Sequence, residues 1–315
     1  QITFYGLPMF ELPGSLAGEP FPGVDDDFQI GGTLGDESLV ISTTASFTFT
    51  KVLTGEQTLL SLSSDDTLGD YLSFGDYNSS ALDQPVQPLF FKDVTAENTE
   101  LRGAIIRSAT VDRVQADFNA TIATLDNEFV DNPASKIDPL SDGSSPSWYP
   151  PVEVNAQSLG DQSLMAAQLG QYNPSSQEER VFGALQVELF YSTSTDETRP
   201  QFTLVDALYD PQNHQVTVKV GVTDESGLEK VAIHYIEDER QASTALRTVD
   251  ARFDANLQKW VASFPGDENS VYYVSAVDRV GNLQTANNKD LNYRPVQMRA
   301  SQSESSTVFL PLIAR

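Results

Sequence analysis

The stretch Val216-Thr217-Val218-Lys219-Val220-Gly221-Val222 alternates valine with polar or small residues. Successive side chains of a β-strand point to opposite faces, so this alternation predicts a strand with one buried and one solvated face. The sequence Asp-Glu-Ser-Gly at 224–227 follows it and is typical of a turn. Apolar residues then alternate again at Val231, Ile233 and Tyr235, which predicts the next strand.

Further strands are predicted at 260–264 and 271–277, and a last one near Leu283. Both faces of 271–277 are largely apolar, as is typical of a strand in the middle of a sheet. About seven strands in about 95 residues is the count of an immunoglobulin-like sandwich. We therefore predict an immunoglobulin-like domain over residues 197–297.

The preceding residues, 1–196, show the same short alternating runs, interrupted by Gly, Pro, Asp and Ser. They predict a β-sandwich or jelly-roll-like domain with long loops, so the fold class is all-β with two β-sandwich domains. Strand candidates in this block include 89–91, 103–106, 114–122 and 181–191. The best helical candidate is 157–169, where Leu159, Leu164, Met165 and Leu169 are loosely spaced.

Residues 298–315 differ in composition from the rest. A Ser/Gln/Glu-rich linker over 298–307 precedes an apolar terminal stretch, for which we predict a short strand. A terminal strand can complete the sheet of a neighbouring molecule, and repeated head-to-tail this contact gives a filament. The alternative is that each end packs on its own chain. The candidate assembly residues at the two ends are Ile2, Phe4, Tyr5, Val308, Phe309, Leu310, Leu312 and Ile313.

The charge balance excludes several partner classes. Asp and Glu total 45 against 19 Lys and Arg, which gives a formal net charge of -26, and the basic residues are scattered. A polyanion without a basic patch is a poor ligand for nucleic acid. No apolar stretch approaches the roughly 18 residues of a membrane-spanning helix. The absence of Cys excludes disulfides and Cys nucleophiles.

Acidic side chains in loops make calcium the one cofactor worth considering, because calcium takes oxygen ligands from such loops. No EF-hand spacing is present, and the alternative is that the acids stabilise turns or are simply solvated. For Asp224 and Asp278 the turn role is the favoured interpretation. The candidate ligands are Asp25, Asp26, Asp27, Asp65, Asp66, Asp224 and Asp278.

No catalytic residue is predicted. The two histidines, His214 and His234, lie in a turn and on a strand, and no Gly-x-Ser-x-Gly nucleophile motif accompanies them. Aromatic residues including Phe74 and Trp148 could form a platform for sugar stacking, although core packing is the favoured interpretation. We therefore expect a protein that is not an enzyme.

Several short motifs resemble the region downstream of the catalytic domain in gingipain-like cysteine peptidases of large secreted bacterial proteins. The motifs that carry the resemblance are Tyr5-Gly6-Leu7-Pro8-Met9, Gln84-Pro85-Val86-Gln87-Pro88, Trp148-Tyr149-Pro150, Gly170-Gln171, Glu179-Arg180, Leu189-Phe190-Tyr191-Ser192, Asp224-Glu225-Ser226-Gly227-Leu228 and Ala276-Val277-Asp278-Arg279-Val280-Gly281-Asn282. The resemblance implies β-sandwich and immunoglobulin-like domains. It carries no catalytic residue here, because the Cys and His of the peptidase would lie before Gln1. Since the sequence begins at Gln1 with residues typical of the middle of a strand, we expect a processed product cut from a precursor, or a fragment of a longer chain.

Three functions follow as expectations. The first is a non-catalytic extracellular or cell-surface structural protein, a surface or filament subunit that binds copies of itself or other cell-surface components. The second is the non-catalytic C-terminal portion of a gingipain-like secreted peptidase. The third is a carbohydrate-binding or adhesion module.

Overall fold

The computed structural model of the chain describes residues 25–27, 40–48, 60–65, 69–74, 77–79, 84–123, 148–152, 154–160, 162–289 and 291–297. Over these ranges the protein is all-β, as the sequence predicts, and no helix is found. It follows that, within the described part of the chain, no helix is long and apolar enough to cross a membrane.

Among the described residues, eleven strands lie in the first block of the chain. They are β1 (Asp25–Asp27), β2 (Val40–Thr48), β3 (Leu60–Asp65), β4 (Gly69–Phe74), β5 (Asn78–Ser79), β6 (Gln87–Asp93), β7 (Glu100–Gln115), β8 (Val154–Leu159), β9 (Gln162–Gln168), β10 (Gly170–Asn173) and β11 (Glu178–Ser192).

Nine strands follow in the part of the second block that the structure describes. They are β12 (Gln201–Asp210), β13 (Gln215–Thr223), β14 (Leu228–Ile236), β15 (Leu246–Asp250), β16 (Arg252–Asp254), β17 (Lys259–Pro265), β18 (Val271–Asp278), β19 (Leu283–Ala286) and β20 (Val296–Gln297).

The second block is a sandwich of two sheet layers. One layer is a five-stranded sheet in the order β16-β17-β13-β12-β20, and the facing layer contains β15, β14, β18 and β19. The valines of the opening stretch face a core shared by both layers, where Val216, Val218 and Val220 are completely buried. Across this core Tyr235 stacks on Phe264, with ring centroids 4.2 Å apart.

The first block packs its largest sheet against two smaller ones, of which one is four-stranded in the order β5-β6-β9-β8 and the other pairs β3 with β4. Phe47 of β2, Phe74 of β4 and Phe90 of β6 meet in its core through edge-on ring contacts at 5.2 and 5.8 Å. The Tyr191 hydroxyl donates to the carbonyl of Val94 at 2.6 Å and anchors β11 to the segment after β6.

A single nine-stranded sheet connects the two blocks. Its order is β1-β2-β11-β7-β15-β14-β18-β19, with β10 also paired to β11. The connection is the antiparallel contact of β7 with β15, where Ala109 opposes Leu246 and Ser108 opposes Arg247. The sheet therefore crosses from the first block into the second, and the boundary expected at 196/197 stays a prediction.

A small apolar cluster supports this connection. Ile105 and Phe190 of the first block pack with Ala232 and Val277 of the second, and Leu283 lies against them. Gly103 is required at this point, because a Cβ built on it would lie only 2.7 Å from the Cβ of Leu283. Val277 of this cluster, together with Val271 and Tyr273 against the core of the first block, forms the second apolar face of β18, which explains why the sequence of 271–277 is apolar on both sides.

Two local predictions are wrong. Residues 157–169 are not a helix: they contribute to the hairpin of β8 and β9, whose strands pair antiparallel from Val154 with Ala167 to Leu159 with Gln162. Leu159 lies in β8, and Leu164 and Met165 lie in β9. The pairing of these strands, and not a helical periodicity, determines the local structure. The strand expected at 114–122 ends at Gln115, and Ala120 and Ile122 form only isolated bridges.

Candidate functional site

His234 lies at the junction of the blocks and is fully buried. Its Nδ1 is 2.9 Å from the carbonyl oxygen of Ile106 and 2.8 Å from Thr248 Oγ1, and its Nε2 is 3.0 Å from Ser275 Oγ. A carbonyl oxygen only accepts, so Nδ1 carries the proton and Ser275 donates to Nε2. Tyr273 stacks on the imidazole, with ring centroids 4.3 Å apart.

This serine–histidine contact lacks the properties of a catalytic pair. Burial is the main cause that lowers the pKa of His234 to about 3, which makes the imidazole a weak base at neutral pH. No carboxylate orients Nδ1, and Ser275 Oγ also lies 3.1 Å from Thr285 Oγ1. With Ser275 only 2% exposed, the arrangement fits a polar link between sheet strands better than a nucleophile.

A second buried polar cluster gathers four of the motifs on which the sequence resemblance depends. Arg180 is fully buried, and its Nε and Nη2 donate to Gln171 Oε1 at 2.9 and 2.6 Å. The guanidinium lies 4.3 Å from the centroid of the Trp148 ring, a cation–π contact. Gln87, from the fourth motif, donates to Glu179 Oε2 at 3.3 Å. Nothing in the sequence indicates that these residues, which are distant in the chain, meet.

The Arg180 cluster also ties the two blocks together. Arg180 Nη1 donates to the carbonyl of Ala242 at 3.3 Å, and the indole of Trp148 donates to the carbonyl of Glu239 at 2.9 Å. Arg294 pairs with the Glu239 carboxylate. Burial lowers the pKa of Arg180 to about 9, while the charges of Glu239 and Glu179 oppose this shift.

Glu179 is the most perturbed carboxyl group of the cluster. Burial raises its pKa to about 8, against smaller opposing effects of the Gln87 hydrogen bond and the Arg180 charge. The geometry agrees with a neutral acid, since Glu179 Oε1 and Gln87 Oε1 are both buried acceptors without a partner. A Cβ on Gly170 would collide with both oxygens, so they lie close together. A proton on Glu179 supplies the donor that this pair of oxygens lacks.

Two of the predicted calcium ligands, Asp224 and Asp278, come close to each other and both are engaged in turns. Asp278 Oδ1 accepts the backbone N–H groups of Val280 and Asn282 at 2.9 and 2.8 Å. Asp224 Oδ1 accepts from the backbone and hydroxyl of Ser226 at 2.8 and 2.7 Å. Burial raises the pKa of Asp278, and the charge of Asp224 adds to that rise.

Of the other predicted acidic residues the structure describes four, and they lie on two other strands. Asp25, Asp26 and Asp27 form β1 on the outer edge of the nine-stranded sheet, Asp65 ends β3, and Asp66 lies outside the described residues. Within the ranges that the structure describes, no three His, Asp or Glu side chains converge as a metal site. Calcium binding stays a prediction.

Every predicted assembly residue, in 1–5 and in 308–313, lies outside the described residues. The structure does describe a strand edge that a terminal strand could use. In the five-stranded sheet β12 is paired with β13 along its length, but on its other side β20 covers only Leu208 and Tyr209. Among the described residues, no strand pairs with 201–206 on that side.

The fold and these sites define an all-β protein whose two sandwich blocks share one sheet and whose buried polar groups serve the joint between them. No protein-family model matches the chain, and no curated protein matches it.

Solved structures give only distant likenesses. A chain from the complex of the RgpB pro- and mature domains of Porphyromonas gingivalis matches with a TM-score of 0.34 and 14% identity, covering 56% of this chain and 88% of that chain. A structure concerning the zymogenic latency of gingipain K from Porphyromonas gingivalis matches with a TM-score of 0.33 and 8% identity, covering 54% and 100%. A β-glucuronidase from Ruminococcus gnavus matches with a TM-score of 0.20 and 8% identity, covering 70% and 35%. At these TM-scores the likenesses assign neither family nor function, and they do not single out a region downstream of a peptidase domain.

Proposed function

We propose that this chain is a non-catalytic extracellular structural module that binds copies of itself by strand addition. The observation that carries the proposal is the open edge of β12 over 201–206. An unpaired edge presents a row of N–H and C=O groups, which pair readily with an extended segment of another chain.

The side chains along this edge favour an apolar strand. Leu204 is 40% exposed, and Phe202 and Val205 are only partly buried against the core of the second block. At the covered end of the edge, Val296 of β20 is 63% exposed. An added strand with apolar side chains would remove these groups from water, which stabilises the contact by about 25 cal/mol per Å² of apolar area buried.

The donor in this proposal is the apolar stretch 308–313 of a neighbouring copy. The linker of residues 298–307 follows β20 directly and spans roughly 33 Å when fully extended, enough to reach a second molecule. Because each copy carries a formal charge of -26, copies repel one another at low ionic strength. Salt or calcium ions should therefore strengthen the assembly by screening.

The first prediction tests the donor. Replacing Val308, Phe309 and Leu310 by Ser keeps the chain length but removes the apolar side chains, so we expect a folded monomer where the unaltered chain forms oligomers or fibres. Light scattering after size-exclusion chromatography and electron microscopy measure this difference.

The matched control replaces Ser303, Ser305 and Ser306 of the linker by Ala, and this variant should assemble normally. Assembly that survives the loss of the three apolar side chains would show that 308–313 is not the connector.

The geometry around His234 supports the non-catalytic part of the proposal, because its imidazole is buried and only weakly basic. A second candidate function is the C-terminal portion of a gingipain-like secreted peptidase. The observation in its favour is that four of the resembling motifs meet in the Arg180 cluster. The coding sequence upstream of Gln1 decides between the two candidates: a Cys/His catalytic domain supports the peptidase, and a bare signal peptide supports the structural module.

A further inference from the structure

A cleft of about 310 Å³ opens beside the joint between the two blocks. One wall comes from the start of β7 and from β8, and the other from β18, β19 and the residues after β19. Its volume lies at the lower end of the range for small-molecule sites, about 300–1,000 Å³.

Two arginines line this cleft, although the molecule as a whole is strongly acidic. Arg102 and Arg199 line it, and no Asp or Glu of the described residues does, although acids outnumber bases by 45 to 19 in the chain. The remaining polar lining consists mainly of neutral amides and hydroxyls, among them Asn155, Gln284 and Thr285. An anion that the protein surface repels elsewhere meets positive charge here.

Arg102 lines the cleft, but its guanidinium is already engaged. Its side chain is only 7% exposed, and one end of the guanidinium bonds Glu100 Oε2 at 3.0 Å and the carbonyl of Ser194. Its Nε is buried and has no hydrogen-bond partner. Arg102 therefore forms part of the cleft wall, and its charge is shared with Glu100 rather than left free.

Arg199 is the second positive group, and it is exposed and makes no hydrogen bond or ion pair with the described residues. A guanidinium recognises the planar oxygens of a carboxylate or phosphate by paired hydrogen bonds. Amide and hydroxyl groups at the same cleft can donate to and accept from the hydroxyl groups of a ligand.

We propose that this cleft binds an anionic sugar unit, with its carboxylate or phosphate at Arg199 and its hydroxyl groups at the neighbouring amides. None of the residues 201–206 of the β12 edge lines the cleft, so binding of the sugar does not require self-assembly. The aromatic platform considered from the sequence is not involved, since Phe74 is completely buried and Trp148 is only 3% exposed.

The second prediction is a titration of the full chain, followed by isothermal calorimetry and by chemical-shift changes in amide NMR spectra. The probes are glucuronate, glucose 1-phosphate, glucose and acetate. We expect glucuronate or glucose 1-phosphate to bind at least about tenfold more tightly than glucose, because charge-assisted hydrogen bonds are the strongest polar contacts available. The stronger of the two anions identifies the acidic group.

Arg199→Gln should weaken binding of the anionic sugar by about tenfold or more. Arg252→Gln is the matched control, because Arg252 is also exposed but lies on β16, away from the cleft. This variant should bind the anionic sugar as tightly as the unaltered chain. Equal binding of glucose and its anionic forms, equal binding of acetate, or an Arg199→Gln variant that binds normally would each overturn the proposal. Self-assembly of Arg199→Gln should be intact, which separates this test from that of the proposed function.

Discussion

Glu179 shows how the interior of this protein couples to pH. Its carboxyl group is buried beside Arg180 and Tyr172, and Glu239 and Arg294 form the next charged pair of the same cluster. Burial raises the pKa of Glu179 to about 8, while the unfolded chain should titrate near the ordinary value of 4.5. Between these two pH values the folded state holds a proton that the unfolded state has released.

The third prediction follows from that difference. Stability from Glu179 is complete below about pH 4.5 and is lost as the pH rises to about 8. Glu179→Gln keeps the shape and the hydrogen-bonding capacity of the neutral acid but does not ionise. When the pH rises from about 5.5 to about 8, the free energy of unfolding of the unaltered chain should therefore fall by about 3 kcal/mol more than that of the variant.

Urea denaturation at the two pH values measures this double difference. Glu178→Gln is the control, because Glu178 is the neighbouring residue on β11, lies outside the buried cluster and contacts the exposed Ser176 hydroxyl at 2.8 Å. Parallel pH dependence in the Glu179→Gln variant and the unaltered chain would mean that Glu179 is ionised in the fold.

Single strands were predictable from the sequence where one face of the strand is exposed to solvent. The alternation of 216–222 identifies β13 correctly because its two faces meet different surroundings, a core and solvent. The helix predicted over 157–169 was wrong because the apolar residues there are spaced unevenly. In addition, β9 is buried from Ser163 to Met165 without alternation. Such short apolar runs do not distinguish strand from helix, and strand pairing across the sheet decides between them.

The fourth prediction concerns the open edge of β12. Leu204→Lys places a charge where a partner strand would lie, and charged residues on edge strands block edge-to-edge pairing. We expect self-assembly to weaken at least tenfold while circular dichroism and the thermal midpoint stay close to those of the unaltered chain, since Leu204 is 40% exposed.

Leu257→Lys is the matched control, because Leu257 is 48% exposed but lies between β16 and β17, away from the open edge. Sedimentation velocity over a range of protein concentrations compares the two variants. If both lysine variants assemble as well as the unaltered chain, the β12 edge is not the acceptor.

At the scale of the whole molecule, the sequence predicted two sandwiches but not their shared sheet. The joint depends on partners that are distant in the chain, such as Thr248 Oγ1, which donates to the carbonyl of Ile106 at 2.5 Å. Arg107 similarly pairs with Asp250, with Nη1 and Oδ1 at 2.5 Å. The alternation of a strand indicates that a face is buried, but it does not indicate which strand covers its edge. The buried clusters at His234 and Arg180 were unpredictable for the same reason.

The fifth prediction is that the two blocks unfold together, because separating them would expose the His234 and Arg180 clusters and the apolar cluster around Phe190. The chain has two tryptophans, Trp148 at the joint and Trp260 on β17. In Trp148→Phe and in Trp260→Phe, the remaining tryptophan's fluorescence and the circular dichroism signal should show one common urea midpoint. Separate midpoints for Trp260 and the circular dichroism signal would indicate independent blocks.

The contact of β7 with β15 has a consequence for solubility. Apart from each other, the two blocks would each present a bare strand edge, and such edges nucleate aggregation between molecules. Joining these edges within one chain pairs them at Ala109 with Leu246 and Ser108 with Arg247, so the protein shields this part of its longest strand internally instead of relying on surface charge alone.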